Sequence, residues 1–367
     1  QCFAERGLPS VYRGAQTVIV GDSQQLPPFD LYHPRWEEDS GDPALEVDSL
    51  LDLGCQYLEQ WMLKGHYRSR SLELIDFSNR HFYQGQLRLL PHSQTLLRKQ
   101  PAIRYEQVDG VWEKQTNRVE AERVVGLLRE LLEQGEKDIG VITFNSPQQQ
   151  LIRDLAEEAE LALPESVFIK NIEHVQGDER DNIIFSVGYA PGPKGKVRLQ
   201  FGSLSQIQGE NRLNVAVTRA RKGIWVVASI LPHQLPVEDT KNDGPKRLKD
   251  YLQYAYEVSE KRFKPYTEEP THAGHWYLKR KVMRLSDGKK PVREDFPFAD
   301  LTLMDPDAPS VMLTDDDIFH QGISAKELYA YTPFLLRRQG WKYKRMYSRT
   351  YWKDKKAFEM EARKFFN

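Results

Sequence analysis

Long apolar runs are missing from this sequence. No stretch approaches the roughly 20 apolar residues that a bilayer crossing needs, and no signal-peptide pattern opens the chain, so neither a membrane span nor a secretory leader is expected. Cysteine is almost absent as well, Cys2 and Cys55 being the two in 367 residues. That scarcity fits a reducing compartment, the cytoplasm, and excludes a disulfide scaffold or a cysteine metal site. An excess of charge of either sign is lacking too, since 52 basic residues face 53 acidic ones for a formal net charge of -1. Without a global field, any polyanion must be met by local patches. The phosphate-cradling pattern GxxxxGKS or GxxxxGKT occurs nowhere. The chain begins at Gln1 rather than Met, and we expect a piece of a larger protein. Its length still accommodates two or three units with cores of their own.

What is present is concentrated between Asn171 and Ser229. Two blocks, NIEHVQGDERDNIIFSVGY and GENRLNVAVTRARKGIWVVAS, each join a polar or charged cluster to a β-branched, apolar run. Such runs read as strands buried on both faces, as in parallel sheets. The polar parts then fall on loops and helix ends at the sheet edge, where open α/β sheets bind ligands. Arg219 and Arg221 are two apart in TRAR; on a helix they point in different directions and serve two sites. Their forked, permanently charged guanidinium groups suit phosphate.

VQGDERDNIIFSVGY resembles motif V, and RLNVAVTRARKGIWVVAS motif VI, of superfamily 1 helicases of the Upf1-like kind. The resemblance covers roughly the first two thirds of the chain. It implies an α/β fold, a RecA-like parallel sheet with helices on both faces, with ATP and Mg²⁺ as cofactors and single-stranded DNA or RNA as the partner, tracked 5′ to 3′. By it, Arg219 acts on the γ-phosphate, Arg221 binds nucleotide, and Gln176, Gly177 and Glu179 contact the nucleic-acid backbone and the ribose or metal region. Gly177 has the backbone freedom for a close approach; Glu179 has the alternative of pairing with Arg180 or Arg212. QTVIVGDSQQLPP reads as a short buried strand entering a Gly-Asp turn. It resembles motif III, in which Gln25 senses the γ-phosphate or its attacking water and Asp22 holds the loop. LKGHYRSRSLELIDFSNRHFYQGQL resembles motif IV, with Tyr67 stacking on adenine and Arg68 reaching the γ-phosphate across the cleft. An aromatic beside a guanidinium combines stacking with bidentate anion contacts, while Leu72, Ile75, Phe77 and Phe82 read as core. The acidic motif II is absent from the sequence together with the phosphate loop, so this chain alone is expected not to turn over ATP. Arg68 and Arg219 are expected to matter to the motor and not to folding.

NRVEAERVVGLLRELLEQG has apolar residues at helical spacing and ends on a glycine suited to a C-cap. The strand DIGVITF follows, then the helix SPQQQLIRDLAEEAEL with Ser146 as N-cap. Thr143, Asn145 and Gln148 lie where strand gives way to helix, and free N–H groups there bind phosphate. The resemblance makes this segment a grip on single-stranded nucleic acid; ordinary capping is the alternative. APGPKGKVRLQFGS reads as a mobile loop, PHQLPVEDTKNDGP as a linker, and GPKRLKDYLQYAYEVSEKRF as a helix with Leu248, Tyr251, Leu252 and Ala255 on one face.

Beyond residue 266 the character changes. FPFADLTLMDPDAPSVMLTDDDIFH reads as a hairpin about a DPDAP turn, followed by a helix (AKELYAYTPFLLRRQG), a strand (WKYKRMYSRTYW) and a final helix (DKKAFEMEARKFF). The order resembles the small very-short-patch-repair-endonuclease-like domain at the C-terminus of some large bacterial superfamily 1 helicases. Asp300, Asp315 and His320 are its candidate nuclease remnant, and Leu313 stands where a second acidic ligand belongs, so a degenerate nuclease used for binding or bracing is expected. We assign no metal site. The segment from Arg337 to Lys356 mixes basic residues with aromatics, the pattern of a single-strand surface, with Lys342, Lys344 and Arg345 as candidates; a half-buried strand with a basic outer face gives the same pattern.

The expected organisation is therefore residues 1–60 as a remnant of a first RecA-like domain, 61–235 as a second one, 236–265 as linker and helix, and 266–367 as the endonuclease-like domain. Two functions remain: a fragment of an ATP-dependent helicase or translocase, or an accessory nucleic-acid-binding or nuclease module on a helicase-like scaffold.

Overall fold

The computed structural model describes residues 2–28, 47, 49–98, 100–192, 195, 201–266, 278–286, 288, 290–320, 322 and 324–366. The acidic stretch 29–46, most of the loop after Ala190 and the segment 267–277 lie outside these residues. Helices α1 (Ala4–Arg13) and α2 (Leu50–Tyr57) come first. A two-residue parallel pairing of β1 (Gly65–His66) with β2 (Arg88–Leu89) then brackets α3 (Asp76–Phe82), and α4 (Ser93–Leu96) follows.

Five strands form the central sheet: β3 (Ile103–Gln107), β4 (Ile139–Thr143), β5 (Phe168–Asn171), β6 (Arg180–Ser186) and β7 (Ala220–Ala228). Their order is β3-β7-β6-β4-β5, and every pairing is parallel. The apolar runs of β4, β6 and β7 bury alternate side chains in two separate cores, which is why they lack polar alternation. Ile183, Phe185, Ile224 and Val226 face one core with α7 (Gly209–Val217) and α8 (Asp243–Ser259). Ile184, Trp225 and Val227 face the other with α5 (Arg118–Glu133) and α6 (Ser146–Glu158). The expected sheet with helices on both faces is present, and Leu72, Ile75, Phe77 and Phe82 are buried as expected.

Three local expectations are corrected. Thr17 to Val20 is not a paired strand: Val18 and Val20 are exposed, and among the described residues no strand lies beside it to take its hydrogen bonds. The cap of α6 is Asn145 rather than Ser146, because the Asn145 carboxamide oxygen accepts from Gln148 N at 2.7 Å. The stretch after Ile230 is not a loose linker. Leu235 and Val237 are buried in the same core as Leu248, Tyr251, Leu252 and Ala255 of α8, so apolar burial fixes it to the sheet.

The C-terminal unit contains α9 (Leu278–Met283), β8 (Val292–Arg293), β9 (Leu301–Leu303), β10 (Ser310–Leu313), α10 (Asp317–His320), α11 (Thr332–Arg338), β11 (Lys342–Arg345), α12 (Ser348–Lys353) and α13 (Lys355–Phe366). Its sheet runs β11-β10-β9-β8, with β10 and β11 parallel and the other pairs antiparallel. The hairpin about DPDAP is β9–β10. The strand expected over WKYKRMYSRTYW stops at Arg345. Asp315 accepts from Ser348 N at 2.8 Å, which gives the next residues a helical start instead.

Candidate functional site

The charged residues of the two sequence blocks gather at the amino ends of the parallel strands. Glu179 precedes β6 and Arg219 precedes β7 directly. Arg68 arrives from the β1 side, where Arg70 N donates to Arg221 O at 2.9 Å, and its guanidinium pairs with the Glu179 carboxylate. That hydrogen bond is the main reason the Glu179 carboxyl sits below its ordinary range. Arg219 is 3 % exposed, and its guanidinium donates to Val215 O at 2.8 Å and to Asp178 O at 3.3 Å. Burial first, and then the positive charge of Arg68, lower Arg219 to about 10. Two cations held near each other beside one carboxylate make a place where an added anion is stabilised.

The same burial and the same Arg68 charge lower His66 to about 4, so its ring is neutral at pH 7. Its Nε2 accepts from Ser69 N at 3.1 Å and fixes the turn that presents Tyr67 and Arg68. Tyr67, the candidate stacking residue, is 85 % exposed. Gly177 takes φ +88, in the left-handed region its expected role required.

The Gln25 loop is docked against this cluster by residues that sequence reasoning missed. Asn211 Nδ2 donates to Gln25 O at 3.1 Å and Asn214 Nδ2 donates to Gln24 O at 2.8 Å, both from α7. Asp22 accepts from Gln25 Nε2 at 2.8 Å and from the Tyr83 hydroxyl at 2.7 Å, so it holds the loop as expected. Burial, with the Asp22 charge, raises the Tyr83 hydroxyl, and the positive charge of Arg219 opposes that rise. Gln25, Arg68, Glu179 and Arg219 are thereby brought into one neighbourhood. The signal for Asn211 and Asn214 was present: two asparagines three apart share one helix face. A cavity of about 600 Å³ opens beside the loop, lined by Gly21, Asp22, Gln25, Leu51, Asp52 and Gln208.

Arg221 is corrected. It lies in β7, not on a helix, and donates to Asp181 at 2.9 Å while also pairing with Asp138, within a lattice that includes Lys222 and Asp181 at 2.7 Å. Those pairs occupy its guanidinium along the strand face. Arg219 needs a second correction: with its guanidinium bonded to two carbonyls in the core, it contributes to folding as well as to the site.

At the opposite, carboxyl ends of the strands the picture differs. Gln148 is fully buried; its Oε1 accepts from Asn117 N at 2.7 Å and its Nε2 donates to Ser186 Oγ at 3.1 Å. Thr143 is also fully buried and donates to Asn145 O at 2.9 Å. Neither presents a group to a ligand, so the expected grip reduces here to Asn145, which is half-buried, and to Gln176, half-buried on the loop before Gly177. Beside Gln148 lies Glu120, wholly buried, accepting from Ser186 Oγ at 2.8 Å and Gly188 N at 2.6 Å; burial raises its carboxyl to about 8.

In the C-terminal unit the acids accept hydrogen bonds from backbone N–H groups. Asp300 is buried, accepts from Thr314 N at 2.7 Å, and is raised to about 6 by burial first and by its neighbour Asp316 second. Asp315 caps α12, and Asp316 accepts from Leu278 N and Lys279 N, each at 2.9 Å, at the start of α9. The His320 ring packs edge-on against Phe319. Among the described residues no group of three or more His, Cys, Asp or Glu is arranged to hold a metal ion, so Asp300, Asp315 and His320 do not converge. Of the basic candidates, Lys344 pairs with Glu361, and Arg345 donates to Leu328 O at 2.7 Å beneath the Tyr329 ring. Lys342 alone of the three is exposed. Trp341, one of the aromatics of this basic segment, is 2 % exposed. No helix among the described residues is long and apolar enough to cross a membrane.

Comparison with known proteins places this geometry in context. Residues 48–230 match the family model described as an AAA domain. A protein of Mycoplasma pneumoniae named as an uncharacterised ATP-dependent helicase, the MG140 homolog, is 34% identical over 278 residues, covering 69% of this chain and 24% of that protein. The helicase SEN1 of Saccharomyces cerevisiae is 26% identical over 275 residues, 69% of this chain and 12% of its own length. This chain therefore spans about a quarter or less of these relatives. Among solved structures, the C-terminal domain of a possible DNA helicase from Lactobacillus plantarum aligns over 48% of this chain and 96% of its own, with a TM-score of 0.28 and 16% identity, too low to carry an argument. The AAA domain at residues 48–230, together with the arginines and glutamate it sets at the amino edge of its sheet, belongs with the helicases of superfamily 1.

Proposed function

We propose that this chain is the second half of the motor of an ATP-dependent helicase or translocase that moves 5′ to 3′ on single-stranded nucleic acid. The observation that carries the proposal is the convergence of Gln25, Arg68, Glu179 and Arg219 at one edge of the sheet. ATP is the nucleotide named for the relatives, and the fit lies in the two mutually repelling guanidinium groups, which a phosphate would neutralise. Bound there, ATP would supply the phosphoryl group that is cleaved. Arg68 and Arg219 stabilise charge on it, Gln25 orients a water, and Tyr67 covers the base. For Mg²⁺ the described residues offer no ligand set, and we derive nothing through it.

The polarity rests on the resemblance to Upf1-like helicases. DNA is preferred over RNA because the C-terminal order resembles a DNA-repair endonuclease. We propose that this unit does not cut, since Asp300, Asp315 and Asp316 are engaged by backbone N–H groups, and that the 367-residue chain alone does not hydrolyse ATP, lacking the phosphate-loop pattern. The test is hydrolysis by the full-length protein with and without single-stranded DNA or RNA, alongside Arg68→Ala. Stimulation by a single strand that Arg68→Ala removes is expected; unstimulated or Arg68-independent hydrolysis rejects the motor reading.

A further inference from the structure

The C-terminal unit closes on the AAA domain mainly through residues 87–96, with Leu72 and Ile75 beside them. Trp341 donates its indole N–H to Pro91 O at 2.8 Å, and Ser93 N donates to Gln339 O at 2.9 Å. Ser93 Oγ donates to Gly340 O at 3.0 Å, and Arg88 pairs with Glu327. Around these bonds Phe296 packs with Leu72, Ile75 and Leu89, and Trp341 packs in the cluster that Leu90 and Leu96 join. A buried indole whose N–H is satisfied, ringed by aliphatic contacts, is the arrangement that dominates strong interfaces.

The other side of residues 87–96 is what gives this contact a role. Arg88 N donates to Lys64 O at 2.7 Å, and the parallel pairing sets Gly65 against Arg88 and His66 against Leu89. Tyr67 and Arg68 follow at once. The turn carrying Arg68 is anchored at its far end by Arg70 N on Arg221 O, and at its near end by a two-residue ladder whose second rail is gripped both by Asn79 of α3, through Leu87 N at 2.8 Å and Leu87 O at 3.1 Å, and by the C-terminal unit. A two-residue ladder is too short to hold itself together in water. Asn79 holds the start of the second rail, and the C-terminal unit grips it from Arg88 onward.

We propose that the C-terminal unit is a brace that positions Arg68, with Trp341 as the principal positioning residue and the Arg88–Glu327 pair as a secondary one. The inference rests on the reading of Arg68 as a phosphate-contacting residue, but its structural half stands apart from it. On this view the C-terminal unit acts as a rigid block that sets the angle of a distant guanidinium.

The test has two readouts. In the 367-residue chain, Trp341→Phe removes the indole N–H and keeps an aromatic ring. Amide exchange in residues 64–70 and 87–96 should rise together, about tenfold, while β4 and β6 keep their protection. Faster exchange at 87–96 with residues 64–70 unchanged overturns the coupling. Should Trp341→Phe destabilise the whole unit, the surface charge swap serves: Arg88→Glu and Glu327→Arg singly should each speed exchange at 64–70, and the double variant should restore it. No restoration overturns the role of the pair. In the full-length protein Trp341→Phe should lower kcat for single-strand-stimulated hydrolysis several-fold with KM for ATP within about twofold, since Arg68 acts on charge developing in the transition state. A raised KM with unchanged kcat rejects positioning. If Arg68→Ala leaves hydrolysis intact, the proposed function fails while the exchange result still decides the brace.

Discussion

The two ends of the five-stranded sheet hold the same kinds of residue and treat them in opposite ways. At the amino ends, Arg68, Glu179, Arg221, Asp138, Asp181 and Lys222 pair across a partly open face. At the carboxyl ends, Asn117, Glu120, Gln148, Ser186 and Ser229 are sealed in the interior, joined in one hydrogen-bonded network: Asn117 to Gln148 and Ser229, Gln148 to Ser186, and Ser186 to Glu120. Open α/β sheets ordinarily place ligands at their carboxyl ends. Here that end is closed by its own hydrogen bonds, and the end left with exchangeable partners is the other one. Polar content alone does not mark a site; it is marked by polar groups whose partners a ligand can replace.

The largest expected effect comes from the sealed end. The Glu120 carboxyl is raised from 4.5 to about 8, so it is neutral in the folded state over a range where the unfolded chain is ionised. Stability from this group is complete below the unfolded value and is lost as pH rises toward about 8. At about 1.4 kcal/mol per unit the loss reaches up to about 5 kcal/mol. Urea unfolding at pH 5.5 and pH 8 should show the fall in the wild type and little of it in Glu120→Gln; parallel behaviour of the two would mean that Glu120 is ionised in the fold.

Next in size is Arg219. In the full-length protein Arg219→Ala should slow hydrolysis by about 10³. Unlike a purely catalytic change, it should also lower stability by about 1–3 kcal/mol, because Val215 O and Asp178 O lose their donor in the core. A variant with wild-type thermal stability would contradict the hydrogen bonds described here.

Gln148→Ala follows, at about 1–3 kcal/mol, since it leaves Asn117 N and Ser186 Oγ without their buried partner. If the carboxyl end is closed, single-strand affinity should be unchanged in this variant once its folded fraction is allowed for. Smallest is Arg221→Ala. Its partners Asp138 and Asp181 are part-exposed, and such pairs are worth about 0–1 kcal/mol; a drop in Tm comparable to that of Gln148→Ala would show the amino-end lattice to be as rigid as the interior.

The elements were legible wherever burial on two faces wrote itself into the sequence. DNIIFSV and GIWVVA could only be central strands, and α5 and α8 carried their apolar faces openly. What stayed hidden depended on partners distant in the chain. Thr17 to Val20 has strand chemistry and no neighbour. TRAR reads as helical until β6 is seen to recruit Arg221 into the sheet. Asp315 reads as a ligand until Ser348 arrives beneath it, and Glu120 and Gln148 look like ordinary helix residues until Ser186 and Asn117 close around them. Of the site, Gln25, Arg68 and Arg219 were readable because local motifs carry them. Asn211 and Asn214 were passed over because their targets are backbone atoms, which no sequence displays.

That last contact has a mechanical meaning. Asn211 and Asn214 grasp Ser23, Gln24 and Gln25 by their carbonyl oxygens alone. Every residue type offers such an oxygen, so the grip is blind to which side chains the loop bears, and the Gln25 amide is turned instead to Asp22. Three neutral hydrogen bonds at about 1 kcal/mol each hold the loop against α7. Bonds of that strength can break and re-form without melting α7 or the loop.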